Sequence, residues 1–237
     1  VNIKHEADTS QYLIVNTSTI DIYRQEIGYL QHAEMIDLIP SQQYLYRIIN
    51  NTGHVLSASN TGNDTDYGFT HLFTAGSSFS HSSLHVQGER GEGIALIYGD
   101  FGLQKDISMD AIYEASDSGQ FDYVLHIGDI SYDLFRKKST VGNTFMQLIS
   151  RYASRRPYMV AAGNHEAGDN FKQYNARFAG IYSITGQNSA SNSNFYYSFN
   201  VGSIHYIVVD TEVYKFSQQT MKSYYPFTAQ QQLQWLE

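Results

Sequence analysis

Three short segments carry the residue types that could do chemistry: "GDFG" (99–102), "GDISYD" (128–133) and "GNHE" (163–166). Each follows an apolar run, respectively "IALIY" (94–98), "YVLHI" (123–127) and "YMVAA" (158–162). In open α/β sheets, ligands bind outside the carboxyl ends of the strands. If the runs are strands, their ends gather Asp100, Asp129, Tyr132, Asn164 and His165 along one edge, with glycines that let the backbone turn sharply.

Asp, Tyr and Asn all offer oxygen, which hard cations prefer. A carboxylate can bridge two cations, and a neutral Asn carbonyl adds a ligand without adding charge. A phenol, with a pKa of about 10, binds as phenolate only to a strongly charged ion, so Tyr132 in a metal shell favours a trivalent ion such as ferric iron. Asn164 then faces the metal and His165 faces the substrate. A lone Gly-Asp is an ordinary turn, and a lone Asn-His pair an ordinary hydrogen-bonding device. Three such ends on successive strands read together as a metal site.

The elements that must position these residues alternate between strand and helix. Runs that are apolar at every position suit central strands covered on both faces, and "IHYIVV" (204–209) is a fourth such run. "SMDAIYEAS" has helical spacing. So does "NTFMQLISRYASR", with Phe145, Leu148, Ile149 and Tyr152 on one face and Asn143 as the expected N-cap. The strand-to-strand interval is that of βαβ units. His126 and His205 lie inside strands and read as core or near-core residues, while Asp210 and Glu212 read as capping or supporting groups. Thr228 and Gln231 form a capping box after Pro226. The helix they open meets Glu237 after about two turns, which reads as a chain cut inside an element.

Before residue 90 or so the pattern is all-β. "YLYRII" alternates, and in "LIPSQQYLYRI" a Pro-containing turn feeds a strand opened by Tyr44, as in fibronectin-like and immunoglobulin-like sandwiches. "SNTGNDTDYG" reads as a hairpin loop, "HLFTAG" as the last strand and "SSFSHSSLHVQGERGEG" as a linker. The segment shows too few strands for a full sandwich. The expected organisation is an incomplete fibronectin-like β-sandwich over 1–88, then α/β structure over 89–237.

The 237 residues suffice for a sizeable core, and 42% hydrophobic with 16% charged residues is a globular composition. A net charge of -8 argues against a nucleic-acid surface. Arg151 to Arg156 is taken as the one basic cluster, placed at a helix end where cations complement the dipole. No apolar run approaches the roughly 20 residues of a membrane span, and no signal-peptide layout opens the chain. Cysteine is absent, so disulfides do not indicate a compartment. Sequons at Asn16, Asn50 and Asn63, all in the first third, mark candidate glycosylation sites.

"GDFG", "GDISY" and "GNHE" resemble the first three of five motif blocks of the purple acid phosphatases, a branch of the calcineurin-like metallophosphoesterases. The wider superfamily has Asp-X-His in the first block. Here Gly102 stands in place of that His and Tyr132 is gained in the second block, the exchange that separates the purple branch. The β-region resembles the fibronectin-like N-terminal domain of plant-type members, and "YYSFNVGSIHYIVVDTE" resembles their fourth strand region. Residues 89–237 would then be the N-terminal half of a metallophosphoesterase sandwich.

The resemblance implies that Asp100 and Tyr132 bind ferric iron, that Asp129 bridges two metals, and that Asn164 binds a divalent zinc, iron or manganese ion. It also implies that His165 stabilises the transition state or the leaving oxygen, while a metal-bound hydroxide attacks a phosphomonoester at acid pH. The partners would be small phosphate esters, the location secreted or lysosomal/vacuolar, and a homodimer is compatible with it. The family's last two blocks supply three histidine ligands that this sequence does not contain, so the stretch alone is expected to lack a stable dinuclear centre and to be inactive. Two alternatives stand beside the phosphatase: a non-catalytic glycosylated scaffold that keeps the fold, and a phosphodiesterase of the same superfamily. Tyr132 and Gly102 disfavour the second.

Overall fold

A computed structural model describes residues 93–103, 107–181, 185, 189–191, 193–201, 204–216 and 225–237, and before them the backbone of seven short strands. The sequons at Asn16, Asn50 and Asn63 lie outside the described residues.

The sheet that carries the site is built from β8 (Ala95–Tyr98), β9 (Tyr123–Ile127) and β10 (Tyr158–Ala161), parallel and in the order β10-β9-β8. The three apolar runs are therefore strands, as expected. Their register sets Tyr98 beside His126 and Ile127 beside Ala161, so the three carboxyl ends fall at one edge. The crossovers are α1 (Ile107–Asp117) and α2 (Thr140–Ala153), which meet where the Tyr113 hydroxyl donates to the Leu148 carbonyl at 2.8 Å.

One face of this sheet is packed by helices and the other is covered only in part among the described residues. The strands are laid down in sequence order in one direction, so two right-handed crossovers place both helices on the same side. That side holds the core of Val124, Phe145, Ile149, Tyr152 and Val160. On the other, Tyr123 and Met159 are buried, while Ile97 and Ile127 are 56% and 61% exposed among the described residues.

The helix α2 starts earlier than its sequence suggests. Its N-cap is Ser139, not Asn143. Asn143 is taken instead by Arg177, whose Nη2 donates to Asn143 Oδ1 at 2.8 Å, to Gln173 Oε1 at 3.0 Å and to the Ser139 carbonyl at 3.2 Å. Gly142 inside the helix makes room for that guanidinium, since a Cβ there would sit 2.6 Å from Nε. The basic run at the end of α2 is structural, as expected: Arg151 pairs with Asp117 over the Tyr113 ring, and Arg156 donates to the Phe121 and Ser116 carbonyls.

The fourth apolar run leaves the parallel sheet. It forms β12 (Ile204–Val208), which pairs antiparallel with β11 (Tyr197–Val201). The two are separated by two residues, too few for a parallel crossover, so the pair closes as a hairpin. Within the expected linker, β7 (Ser83–Leu84) pairs with β11 in parallel. The hairpin is tied to the main sheet by Tyr197 donating to the Val160 carbonyl and by the Tyr123–Tyr206 hydroxyl pair, each at 2.7 Å.

Short helices α3 (Lys172–Arg177), α4 (Ala179–Ile181) and α5 (Glu212–Phe216) fill the rest, and α6 (Ala229–Leu236) closes the described chain. The capping box of α6 forms as expected, Thr228 N–H donating to Gln231 Oε1 at 2.7 Å and Gln231 N–H to Thr228 Oγ1 at 3.2 Å. Gln232, fully buried, docks α6 on the end of β12 by bonding both the N–H and the carbonyl of Asp210.

Upstream, β1 (Asn2–His5), β2 (Tyr12–Ile14), β5 (Gln43–Arg47) and β6 (His71–Thr74) form an antiparallel sheet in the order β2-β1-β5-β6. A separate ladder joins β3 (Ser18–Ile20) to β4 (Leu30–His32). Strands fall at "QYLYR" and "HLFT" among the described residues.

Candidate metal centre

The three loops at the strand ends are held together mainly by backbone groups. Asp100 N–H donates to the Gly128 carbonyl at 3.2 Å, and Phe101 N–H to the Asp129 carbonyl at 3.3 Å. Glu166 joins the second and third loops: Oε2 accepts from Gly163 N–H at 2.8 Å and from Asp129 N–H at 2.9 Å, while Oε1 accepts from Ile130 N–H at 2.9 Å. It is 2% exposed. Burial raises its pKa, and the three backbone donors pull it back. Gly163 is obligatory for this approach, because a Cβ there would meet Asp129 Oδ1 at 2.4 Å and its N–H nitrogen at 2.6 Å.

Asp100, Asp129 and Tyr132 all adopt left-handed backbone, with φ of 53°, 50° and 45°. Such conformations cost a non-glycine residue on the order of 1–3 kcal/mol, and they cluster where function needs a side chain aimed a particular way. Here they turn the side chains toward each other. Tyr132 donates its hydroxyl to Asp100 Oδ1, and Asp129 Oδ1 accepts the His165 N–H at 3.1 Å. The Tyr132 and His165 rings meet edge to face at 4.6 Å. Asn164 opens the 3-10 turn Asn164–Ala167, exposed beside His165. The sequence-derived residues of the first two loops and His165 are thus brought together, with Asn164 at the rim.

Two further residues of the quoted segments take structural roles. Glu166 is the clamp described above. Asp133, the last residue of "GDISYD", is buried, and its Oδ1 lies 2.5 Å from His165 Nδ1 while Arg136 Nε reaches Oδ2 at 3.0 Å. With the carboxylate as acceptor, His165 Nδ1 is the donor of this bond. The signals were present, a carboxylate directly after Tyr132 and another directly after His165, but neither spacing alone reveals what it touches. Arg151 to Arg156 is not the one basic cluster, since Arg136-Lys137-Lys138 is a second basic run. Arg136 and Lys137 line a cavity of about 540 Å³ with Asp100 and Tyr132.

The donor chemistry fits hard cations: two carboxylates, one phenol and one amide oxygen. Tyr132 is pushed up to about 12, first by its hydrogen bond to Asp100 and then by desolvation and nearby carboxylates, so a strongly charged ion is needed to draw off its proton. Among the described residues, no three His, Cys, Asp or Glu side chains cluster as a ready site. His126 lies below the loops, fully buried, with Nδ1 2.7 Å from the Tyr158 hydroxyl and its ring against Phe145 of α2. Burial lowers its pKa to about 3, keeping it a neutral core residue as expected. His205 departs from expectation: it is exposed on the hairpin, its Nδ1 2.5 Å from Asn200 Oδ1. Asp210 caps α5, Oδ1 accepting the Glu212 N–H at 2.8 Å, as its position suggested.

A family model described as calcineurin-like phosphoesterase matches residues 95–237, and the chain belongs to that family. Within it, the likeness is to the purple acid phosphatases and acid phosphatase type 7. The chain is 30% identical to acid phosphatase type 7 of Danio rerio over 89% of its own length and 40% of the relative's. The Homo sapiens protein of the same name is also 30% identical, over 88% and 40%. Purple acid phosphatase 18 of Arabidopsis thaliana is 39% identical over 38% of this chain and 21% of that protein. The fold matches a purple acid phosphatase, PPD1, from yellow lupin (Lupinus luteus) seeds, with a TM-score of 0.55, 20% identity, and coverage of 91% of this chain and 41% of that one. The chain therefore spans about 40% of the length of its first relatives.

Proposed function

We propose that the protein containing this chain is an acid phosphatase that hydrolyses phosphomonoesters at a dinuclear metal centre. The observation that carries this reading is the convergence of Asp100, Asp129, Tyr132 and His165 at one sheet edge, three of them on left-handed backbone. Asp100 and Tyr132 would hold ferric iron, Asp129 would bridge, and Asn164 would bind a divalent zinc, iron or manganese ion. Bound metals supply Lewis acidity toward a phosphate and acidify a water.

The chain's own residues do the rest. Asp133 fixes the His165 ring through Nδ1, and His165 Nε2 then faces the ester to oppose the charge that develops on the leaving oxygen. The Arg136 guanidinium balances Asp133, so His165 is oriented without an unpaired carboxylate beside it. Glu166 holds the backbone of Asp129 and Gly163, and with it the spacing between bridging ligand and histidine.

The remaining expectations stand as parts of the same proposal: a fibronectin-like β-sandwich over 1–88 preceding the catalytic domain from 89 onward, glycosylation at Asn16, Asn50 and Asn63, small phosphate esters as partners, and a secreted or lysosomal/vacuolar location. None of the described helices is long and apolar enough to cross a membrane. The test is hydrolysis of p-nitrophenyl phosphate by the full-length protein supplied with ferric iron and zinc. The expected result is acid-pH activity abolished by Asp129→Asn. A folded, metal-supplied protein with no phosphatase activity overturns the proposal and favours the scaffold reading.

A further inference from the structure

We propose that the cavity lined by α3, by the loop before β11 and by the start of α6 is a binding site for an uncharged sugar, taking one pyranose ring. It shares no residue with the loop cluster of the candidate metal centre.

Three amides and three aromatic rings meet at this cavity. Asn175 lies on α3, Asn194 in the loop before β11, and Gln231 in the first turn of α6. Phe195, Tyr196 and Phe227 supply the rings, and the cavity encloses about 290 Å³. Drug-sized ligands take roughly 300–1,000 Å³, so this space suits a single ring with its substituents.

Asn194 is the residue that calls for a ligand. It is 5% exposed, and its side-chain amide makes no hydrogen bond among the described residues. A buried amide left unpaired forfeits its hydration without compensation. Its backbone is tied down. The Asn194 carbonyl accepts the hydroxyl of the fully buried Tyr174 at 2.9 Å. On either side, Phe195 N–H donates to Ser193 Oγ at 3.0 Å and Ser193 N–H to Ser191 Oγ at 3.1 Å. The amide is therefore held where it lines the cavity, and a guest there can satisfy it. The Asn175 amide is likewise without a hydrogen bond among the described residues. Gln231 Oε1 is taken by Thr228 N–H at 2.7 Å, which leaves its NH2 to donate.

The lining decides the chemistry of the guest. Among its described residues there is no carboxylate, ammonium, guanidinium or imidazole. A charged guest would give up its water with no counter-charge to meet it, so the guest is neutral. An Asn amide donates and accepts at once, and so does a hydroxyl. Neighbouring hydroxyls of a pyranose can therefore engage one amide twice, while the ring's C–H faces pack on aromatic carbon. A flat base sandwiched by stacking would need parallel rings. Here Phe227 is tilted 44° from Phe195 at 5.3 Å and stands at 66° to Tyr196 at 5.0 Å.

The experiment is saturation-transfer NMR on the full-length protein with methyl glucoside, methyl mannoside and N-acetylglucosamine, and with adenosine as the flat comparator. At least one sugar is expected to bind with a Kd of about 1 mM, with saturation reaching its ring C–H protons. Asn194→Leu, close in volume, is expected to raise that Kd about ten-fold or more. Asn175→Ala sits at a more exposed position and is expected to raise it about three-fold or more. It decides the matter if circular dichroism shows Asn194→Leu unfolded. Hydrolysis of p-nitrophenyl phosphate should change by less than about two-fold in both variants. Failure of all three sugars to bind the wild type overturns the proposal, as does sugar binding that both folded variants leave unchanged. Adenosine binding that Asn194→Leu abolishes, with no sugar bound, overturns the sugar assignment. Because binding is read without turnover, a protein inactive as a phosphatase still gives the answer.

Discussion

Glu166 Oε2 accepts the backbone N–H of Asp129 at 2.9 Å, across 37 residues of sequence. The same carboxylate binds Ile130 and Gly163, so one buried anion sets the distance between the loop of the proposed bridging ligand and the loop of Asn164 and His165. Charge-assisted bonds of this kind are stronger than neutral ones. Glu166→Gln puts an NH2 against at least one N–H donor and is expected to destabilise the fold by about 2–4 kcal/mol. Metal affinity in the full-length protein should fall about 10–100-fold. Urea unfolding and metal titration measure the two effects. A variant with wild-type metal affinity removes Glu166 from any positioning role.

The Asp133–His165 pair gives a second prediction. Asp133→Asn keeps the shape but no longer stabilises a positively charged imidazole or enforces Nδ1–H. kcat is expected to fall about 10²-fold with KM little changed, as for an interaction made in the transition state. Steady-state kinetics on p-nitrophenyl phosphate decides it, and a loss confined to KM contradicts the assignment.

The proposed ligand set has a colour test. A phenolate on ferric iron absorbs visible light, and Tyr132 is the phenol at the loop cluster among the described residues. In metal-loaded protein, Tyr132→Phe is expected to abolish the colour while circular dichroism stays unchanged. A coloured Tyr132→Phe protein assigns the iron to other residues.

How much of this was legible in the sequence divides by range. The strands at 94–98, 123–127 and 158–162 and the ends that carry Asp100, Asp129 and Asn164 were readable because apolar runs and glycine-bounded turns are local signals. The capping box at Thr228 was readable for the same reason. Ser139 as N-cap was not, because Asn143 is recruited by Arg177 from 34 residues away. The fourth run looked like its three predecessors, and only its pairing with Tyr197–Val201 shows it to be half of a hairpin. Asp133 and Glu166 were visible as residue types next to the site, but their work is done through partners 32 and 37 residues distant, which no local spacing reports.

The last prediction concerns acid stability. Asp210 is buried at the end of β12, where desolvation raises its pKa to about 7, with Glu212 and Glu166 adding to the rise against the N–H donors of Glu212 and Val213. Its Oδ2 has no partner among the described residues. The folded protein therefore keeps this proton up to about pH 7, while the unfolded chain gives it up near 3.8. Between those values the native state binds more protons, so the contribution of Asp210 to stability declines as pH rises through the window and is lost above it. The loss is on the order of a few kcal/mol. Asn can still accept the Glu212 N–H and carries no charge to desolvate. Asp210→Asn is expected to be more stable than wild type at pH 8 and no more stable at pH 4, measured by urea unfolding. His126 works in the opposite sense: held neutral by burial down to about pH 3, it lowers stability as the unfolded chain protonates below about 6.5. The difference between wild type and Asp210→Asn isolates the carboxyl, because the histidine is common to both. Equal unfolding midpoints at pH 8 would place the Asp210 proton in solvent contact, not in the core.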